Sequence, residues 1–451
     1  MDYIFLLIIV GAIILFVGNK FYNLTLYIVF VLPFLPKWNG IILFGNFFVL
    51  SPLKLLLLML IFSWLINRGK YRANDRSHIP ILFPIILFVI SEIFSWLNSF
   101  LLGSGDYILG LNFLLGRIFY FFLITIIIYE VINDKGKINQ IILILVISAF
   151  LNGLFSIMEF TFHYNPYNSL PRNDIEMGIL KSVEFQQRLG VTRSQGAFTM
   201  SIPFGMYLGM ILPLSYYLIS ISKKKTAKIR WIVVATIIYI GIIFTISRGA
   251  ILPATMLLIF VLLRNKQGRI FLASLIVFLI AGYSILTKFI DFTIIKALVL
   301  SAIDPTSNSV VGEEMFSSSM GRIDSIETGI KLMISSFPLG FGPQWRTQQY
   351  EIVVPYFILL YIRSGIMAFI GFILIIFKPI RSLLKEYKKC NDKELKNLIF
   401  YLLISILTFA ISIQTVDQED SFFFIFIIIA ISFRVLYLNK LTKTNAQFEI
   451  N

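Results

Sequence analysis

The residues of this chain best suited to chemistry are arginines in apolar surroundings. Arg248 stands in "TISRGAIL" (245–252), with no other charge for at least fifteen residues on either side. A guanidinium presents a planar fork that grips two phosphate oxygens at once. Such a residue either snorkels to lipid headgroups or binds an anion in a fixed cavity. Arg188 and Arg193 lie in "RLGVTRSQGAFTMSIPFG" (188–205), a glycine-containing lead into an apolar helix. Backbone N–H groups at a helix start, with an arginine close by, suit an anion. Arg322 opens the stretch "GRIDSIETGIKLMISS", and Arg363 falls near mid-depth of a later apolar run, where an ionisable group faces a protein interior or a wet cavity. Glu92 and Arg117 sit in adjacent apolar runs of opposite direction and can pair. Asp324, Glu327 and Glu351 are carboxylates beside these motifs, and Glu351 stands at the mouth of the run that carries Arg363. Glu159 and His163 sit near the end of another run, where His163 reads as an exposed or capping residue.

The elements that must position these residues are membrane spans. The 451 residues are 58% hydrophobic and 14% charged, against about 25% charged in an average soluble domain. The mean hydropathy is +0.85. This excludes a soluble enzyme, a disordered chain and a disulfide scaffold, the last also because Cys390 is the only cysteine. Apolar runs occupy about 3–18, 21–36, 49–66, 79–98, 110–130, 139–162 and 197–220, then 231–246, 249–263, 269–287, 353–377, 398–415 and 421–437. They do not alternate apolar with polar residues as barrel strands do. The expectation is an all-α, polytopic transmembrane helix bundle of 12 or 13 spans forming one membrane domain over 1–451. The first two runs are short enough to be a tilted or re-entrant pair. The first has no charged leader or small-residue cleavage site and is expected to stay attached.

Formal net charge is +15. In a membrane protein this is a cytoplasmic excess of lysine and arginine, and no nucleic-acid partner is expected. Segments 67–78, 131–138, 222–230, 264–269, 378–397 and 434–451 hold 24 basic and six acidic residues. An even number of runs separates each from the next, so all six can face the cytoplasm. The other face then carries loops 163–196 and 288–352, the second with five basic and seven acidic residues. Within it Ile323, Ile326, Ile330 and Met333 or Ile334 follow helical spacing, and "FPLGFGP" (337–343) stops the helix. The reading is an amphipathic helix over about 320–336, on the outer membrane surface or over a cavity. His78 and His163 are the only histidines, too few for a histidine-rich metal site, and no motif calls for a cofactor. Arginines near the outer ends of several spans suit a phosphorylated lipid whose polar headgroup lies outside.

The ordered set "RSQGAFTMSIPFG", "SRGA", "SMGRIDSIETGIKLMISSFPLGFGPQW" and "YIRSGIMAFIGFILI" resembles the O-antigen ligase and polysaccharide polymerase superfamily of bacterial membrane proteins. The motifs cover about 75 residues, and their order and topology extend over about 197–437. The resemblance implies glycan transfer from undecaprenyl diphosphate on the outer side of the cytoplasmic membrane. It implies diphosphate-binding roles for Arg193, Arg248 and Arg322; from the residues themselves, Arg188 is a further candidate for the diphosphate and Arg363 a cavity charge. The undecaprenyl-diphosphate-linked oligosaccharide and membrane lipids are the expected partners, with a chain-length regulator as a further candidate. Ligases of the superfamily place a histidine about eleven residues before the glycine matching Gly365. Here that position is Val354, and no histidine lies in 164–451, which favours a repeat-unit polymerase. Glu351 and Asp324 are then the candidate general bases. The alternatives are ligase-like transfer to another acceptor and a flippase for the same lipid. A flippase needs charges lining both halves of the membrane, whereas here they gather in one.

Overall fold

The computed structural model describes residues 2–36, 41–43, 48–72, 80–102, 107–170, 187–188, 191–264, 269, 324–345, 355–415 and 419–448. Among them the chain is an all-α bundle: α1 (Asp2–Val17), α2 (Phe21–Val31), α3 (Pro52–Arg72), α4 (Leu82–Leu101), α5 (Tyr107–Arg117), α6 (Ile124–Val131), α7 (Lys135–Phe162), α8 (Ser201–Ile221), α9 (Lys225–Phe244), α10 (Arg248–Leu263), α11 (324–335), α12 (Tyr356–Lys389), α13 (Lys393–Ser412) and α14 (Phe422–Phe448). A π-helical segment, Ile118–Leu123, joins α5 to α6. Two short antiparallel ladders lie in connections, Ile41–Leu43 with Phe48–Leu50 and Gln187–Arg188 with Val191–Thr192.

Nine helical stretches among the described residues are long and apolar enough to cross a membrane, and Ile4–Val17, Phe21–Phe34 and Arg248–Leu263 are shorter apolar helices. The molecule is a multi-pass membrane protein. All of the run at 269–287 beyond residue 269 and most of the loop at 288–352 lie outside the described residues, as do residues 320–323 of the expected amphipathic helix.

Local chemistry sets several boundaries. The Asp134 carboxylate accepts from Lys137 N (2.8 Å) and starts α7, and that of Asp392 accepts from Glu394 N (2.9 Å) and starts α13. α7 stops at His163, an exposed residue in the left-handed region (φ 51°). One boundary differs from the sequence reading. α12 runs on through Pro379 to Lys389 and α13 starts at Lys393, so all seven basic residues of 378–397 ride on helix ends rather than in a loop. Ile380 and Leu383 are buried there, while long basic side chains can carry their charge away from the apolar surface.

Lipid tails are as apolar as leucine, so helices in a membrane associate through close packing and hydrogen bonds. α7 and α9 meet at Gly153 and Gly241, where a Cβ on Gly241 would lie 2.9 Å from the Gly153 Cα, and Ser156 Oγ donates to the Gly241 carbonyl (3.0 Å). At one end of the bundle α2, α4, α7, α9 and α13 finish and α3, α5, α8, α10, α12 and α14 begin. At the opposite end Lys135 pairs with Glu394 (3.2 Å), Tyr217 Oη donates to Asn139 (2.9 Å) and Arg264 donates to Asn397 (2.9 Å). The basic segments 131–138, 222–230 and 378–397 share this second end, as the even spacing of runs requires.

Candidate functional site

At the first end, α9 stops at Phe244 and α10 starts at Arg248. Thr245, Ile246 and Ser247 form a tight turn, with Ile246 at φ 45° and Ala250 N donating to Ser247 O (3.0 Å). The segment from Arg193 to Thr199 lies across it. Ser194 N donates to Phe244 O (3.0 Å) and Arg193 Nε donates to Thr245 O (3.0 Å). Arg193 thus reaches the turn that leads into Arg248, and both are half-buried. On the other side of the segment, Glu159 of α7 accepts from the backbone N–H groups of Gln195 and Gly196. Asp420, ahead of α14, accepts from Thr199 N (2.9 Å) and from Thr199 Oγ1. A small cleft next to the segment is lined by Pro33, Leu35, Leu53, Ala197, Phe198 and Asp420.

A second centre lies on α12, which is not a continuous helix. Gly365 has φ 78° and ψ −177°. Breaking a helix inside a membrane frees backbone groups that lipid cannot satisfy. The FPLGFGP turn and α4 satisfy them here. Phe341 N donates to Ile362 O (2.8 Å), Gly342 N donates to Arg363 O (3.0 Å), and Ile366 N donates to Pro338 O (3.1 Å). From α4, Ser91 Oγ donates to Ser364 O (2.7 Å), Ser95 Oγ donates to Arg363 O, and Asn98 Nδ2 donates to Gly340 O (2.8 Å). A Cβ on Gly340 would run into the Arg363 carbonyl, and one on Gly365 into the Pro338 carbonyl. Arg363 is 7% exposed, and its Nε donates to Trp345 O (2.8 Å).

Beside this break lies a buried charge cluster. Arg117 donates to Glu92 through Nη1 (2.5 Å) and to Glu419 through Nη2 (2.7 Å) and Nε (3.1 Å). Ser364 Oγ donates to Glu92 Oε1, and Tyr356 Oη donates to Glu419 Oε1 (2.7 Å). Burial pushes the Glu419 carboxyl up, but the Arg117 guanidinium, the Tyr356 hydroxyl and the charge of Arg363 hold it net below the ordinary carboxylate range.

Of the residues singled out from sequence, Arg193 and Arg248 lie at the same turn and Arg363 belongs to the second centre. The Glu92–Arg117 pair forms as expected. Arg188 lies on the short ladder next to Arg193's segment. Asp324 is exposed at the first turn of α11. Glu327, also exposed, is bonded to Lys331 (2.8 Å), which holds its carboxyl below the usual range. Arg322 and Glu351 lie outside the described residues. Sequence reasoning missed Glu419 as the second partner of Arg117, the Thr199–Asp420 contact, and the role of α4 in holding the broken span. A signal for the last exists: Ser91, Ser95 and Asn98 fall four and three residues apart, on one helical face.

The arrangement supplies fixed guanidinium groups at one end of the bundle and carboxylates within the same end, a set suited to holding an anionic headgroup while a proton is taken up nearby. No protein-family model matches the chain, and no curated protein matches it.

Proposed function

We propose that this chain is a polysaccharide repeat-unit polymerase. It transfers the growing glycan from undecaprenyl diphosphate to a lipid-linked acceptor repeat unit at the outer face of the bacterial cytoplasmic membrane. The observation that carries this reading is the convergence of Arg193 and Arg248 on the turn between α9 and α10. An acceptor hydroxyl oxygen attacks the anomeric carbon of the donor, the bond from that carbon to the diphosphate oxygen breaks, and undecaprenyl diphosphate leaves. Negative charge grows on the diphosphate as the bond breaks, and preorganised guanidinium groups stabilise it. Arg188 and Arg322 complete the diphosphate set, and Glu351 or Asp324 takes the hydroxyl proton. The absence of histidine from 164–451 favours polymerase over ligase.

Cells lacking the protein should accumulate single repeat units on the carrier at the outer face. Arg248→Ala should abolish polymer at matched membrane levels. Arg248→Lys keeps the charge but loses the two-pronged geometry; forfeiting about 3 kcal/mol at the transition state slows turnover roughly a hundredfold. Polymer length on gels is the readout. Normal polymer from well-expressed Arg248→Ala would make the arginine a headgroup anchor and sink the proposal. Single units confined to the cytoplasmic face would point to a flippase instead.

A further inference from the structure

We infer that Glu159 is the positioning residue of this site, fixing the Arg193–Gly196 segment and with it the place of Arg193 beside Arg248; the inference rests on the polymerase reading for its activity readout. Glu159 is 1% exposed on α7. Its Oε2 accepts from Gln195 N (3.1 Å) and Gly196 N (2.9 Å). Two consecutive N–H groups thus reach one oxygen, and the chain turns away just beyond them, where Gly196 takes φ 59°. Oε1 accepts from Asn165 Nδ2 (2.7 Å). The Asn165 amide has one orientation, since its Oδ1 accepts from Tyr167 N (2.9 Å) and its Nδ2 also donates to Gly196 O (2.9 Å).

One turn earlier on the same helix, the Ser156 carbonyl accepts from Ser194 Oγ (2.7 Å). α7 therefore grips the segment at Ser194, Gln195 and Gly196, while the end of α9 grips it at Arg193 and Ser194. The two grips share Ser194, the residue next to Arg193. Burying a carboxylate is costly, and an apolar residue of similar size would pack at less expense. What the carboxylate supplies is acceptance of three donors from a fixed direction.

The test uses the full chain in lipid nanodiscs. Glu159→Gln preserves size but leaves a neutral amide whose NH2 must face either the Asn165 NH2, which cannot flip away, or the Gln195 and Gly196 N–H groups, so the grip on the segment weakens in either orientation. Amide exchange at Gln195 and Gly196 should quicken at least tenfold, with α7 amides unchanged. Polymer formation should fall at least tenfold in kcat, with little change in KM for the lipid-linked acceptor. Glu159→Asp, which keeps the charge but is one methylene shorter, should show both effects to a lesser degree. If Glu159→Gln fails to assemble, Asn165→Ala removes one donor and should show the same pair of effects at smaller size. Unchanged exchange at Gln195 and Gly196, or faster exchange with normal kcat, overturns the inference. Arg193→Gln separates the two claims: it should abolish polymer and leave exchange slow. Normal polymer from Arg193→Gln counts against the polymerase site itself, whereas its loss alongside a fully active Glu159→Gln counts against Glu159 alone.

Discussion

Arg117 is 2% exposed and faces two carboxylates, Glu92 at 0% and Glu419 at 16%. Taking three charges out of water is expensive, and one guanidinium answers both acids only because Ser364 and Tyr356 add donors. Removing the shared partner should be far worse than removing either acid. Arg117→Met is expected to cost about 3–5 kcal/mol, the range for stranding buried charge, read as a fall in the unfolding midpoint in detergent. Glu419 adds a pH dependence whose sign follows from its depressed folded-state pKa. Its stabilising contribution is complete above the ordinary carboxylate value of about 4.3 and disappears as pH falls through the lower folded value. Acidification across that window should lower the midpoint, and Glu419→Gln should flatten this part of the profile. The Glu92–Arg117 half of the cluster was legible from sequence, because two lone charges in neighbouring apolar runs have few other partners. Glu419 was not, because its loop is distant in sequence and nothing in its composition says which span it folds over.

At the scale of elements, the break in α12 and the turn at 337–343 hold each other. Gly365→Ala would place a side chain at positive φ and against the Pro338 carbonyl. With ψ −177° this is an extended, positive-φ region essentially confined to glycine, where a side chain costs about 1–3 kcal/mol, and the steric conflict adds to that. Gly340→Ala meets the Arg363 carbonyl from the other side. Each variant should lower the unfolding midpoint and open residues 337–343 to proteolysis. Gly69→Ala in α3, with nothing within 4 Å of its new methyl group, is the control and should be neutral or slightly stabilising. Periodicity located these helices well, including the amphipathic one, whose Ile326, Ile330 and Ile334 stand exposed with Phe337 just beyond. It did not reveal the break, since apolar residues flank Arg363, Ser364 and Gly365 on both sides of "LLYIRSGIMAF" and the run reads as one span. A hydropathy pattern reports burial and is blind to backbone torsion.

Over the whole molecule, the distribution of lysine and arginine makes the strongest claim. In a Cys390→Ser background, cysteines at the exposed positions Tyr164 and Thr226 should report opposite faces. An impermeant maleimide on intact cells should label Tyr164→Cys and spare Thr226→Cys, and the reverse pattern would invert the topology. The two-ended layout was readable because charge cannot easily cross a membrane and each span reverses direction. Which helices stand at the centre was not, since every span is apolar. About 78% of the spanning window of α8 and of α14 is buried by protein, against 22% for α9. α14, the last of the described spans to leave the ribosome, is thus among the most enclosed. Until it arrives, the earlier spans surround an unfilled seam, with Arg117 lacking Glu419 and Thr199 lacking Asp420. The bundle is therefore closed by a span that lies among its neighbours rather than along their edge. Two contacts, Arg117 with Glu419 and Thr199 with Asp420, wait on that closure.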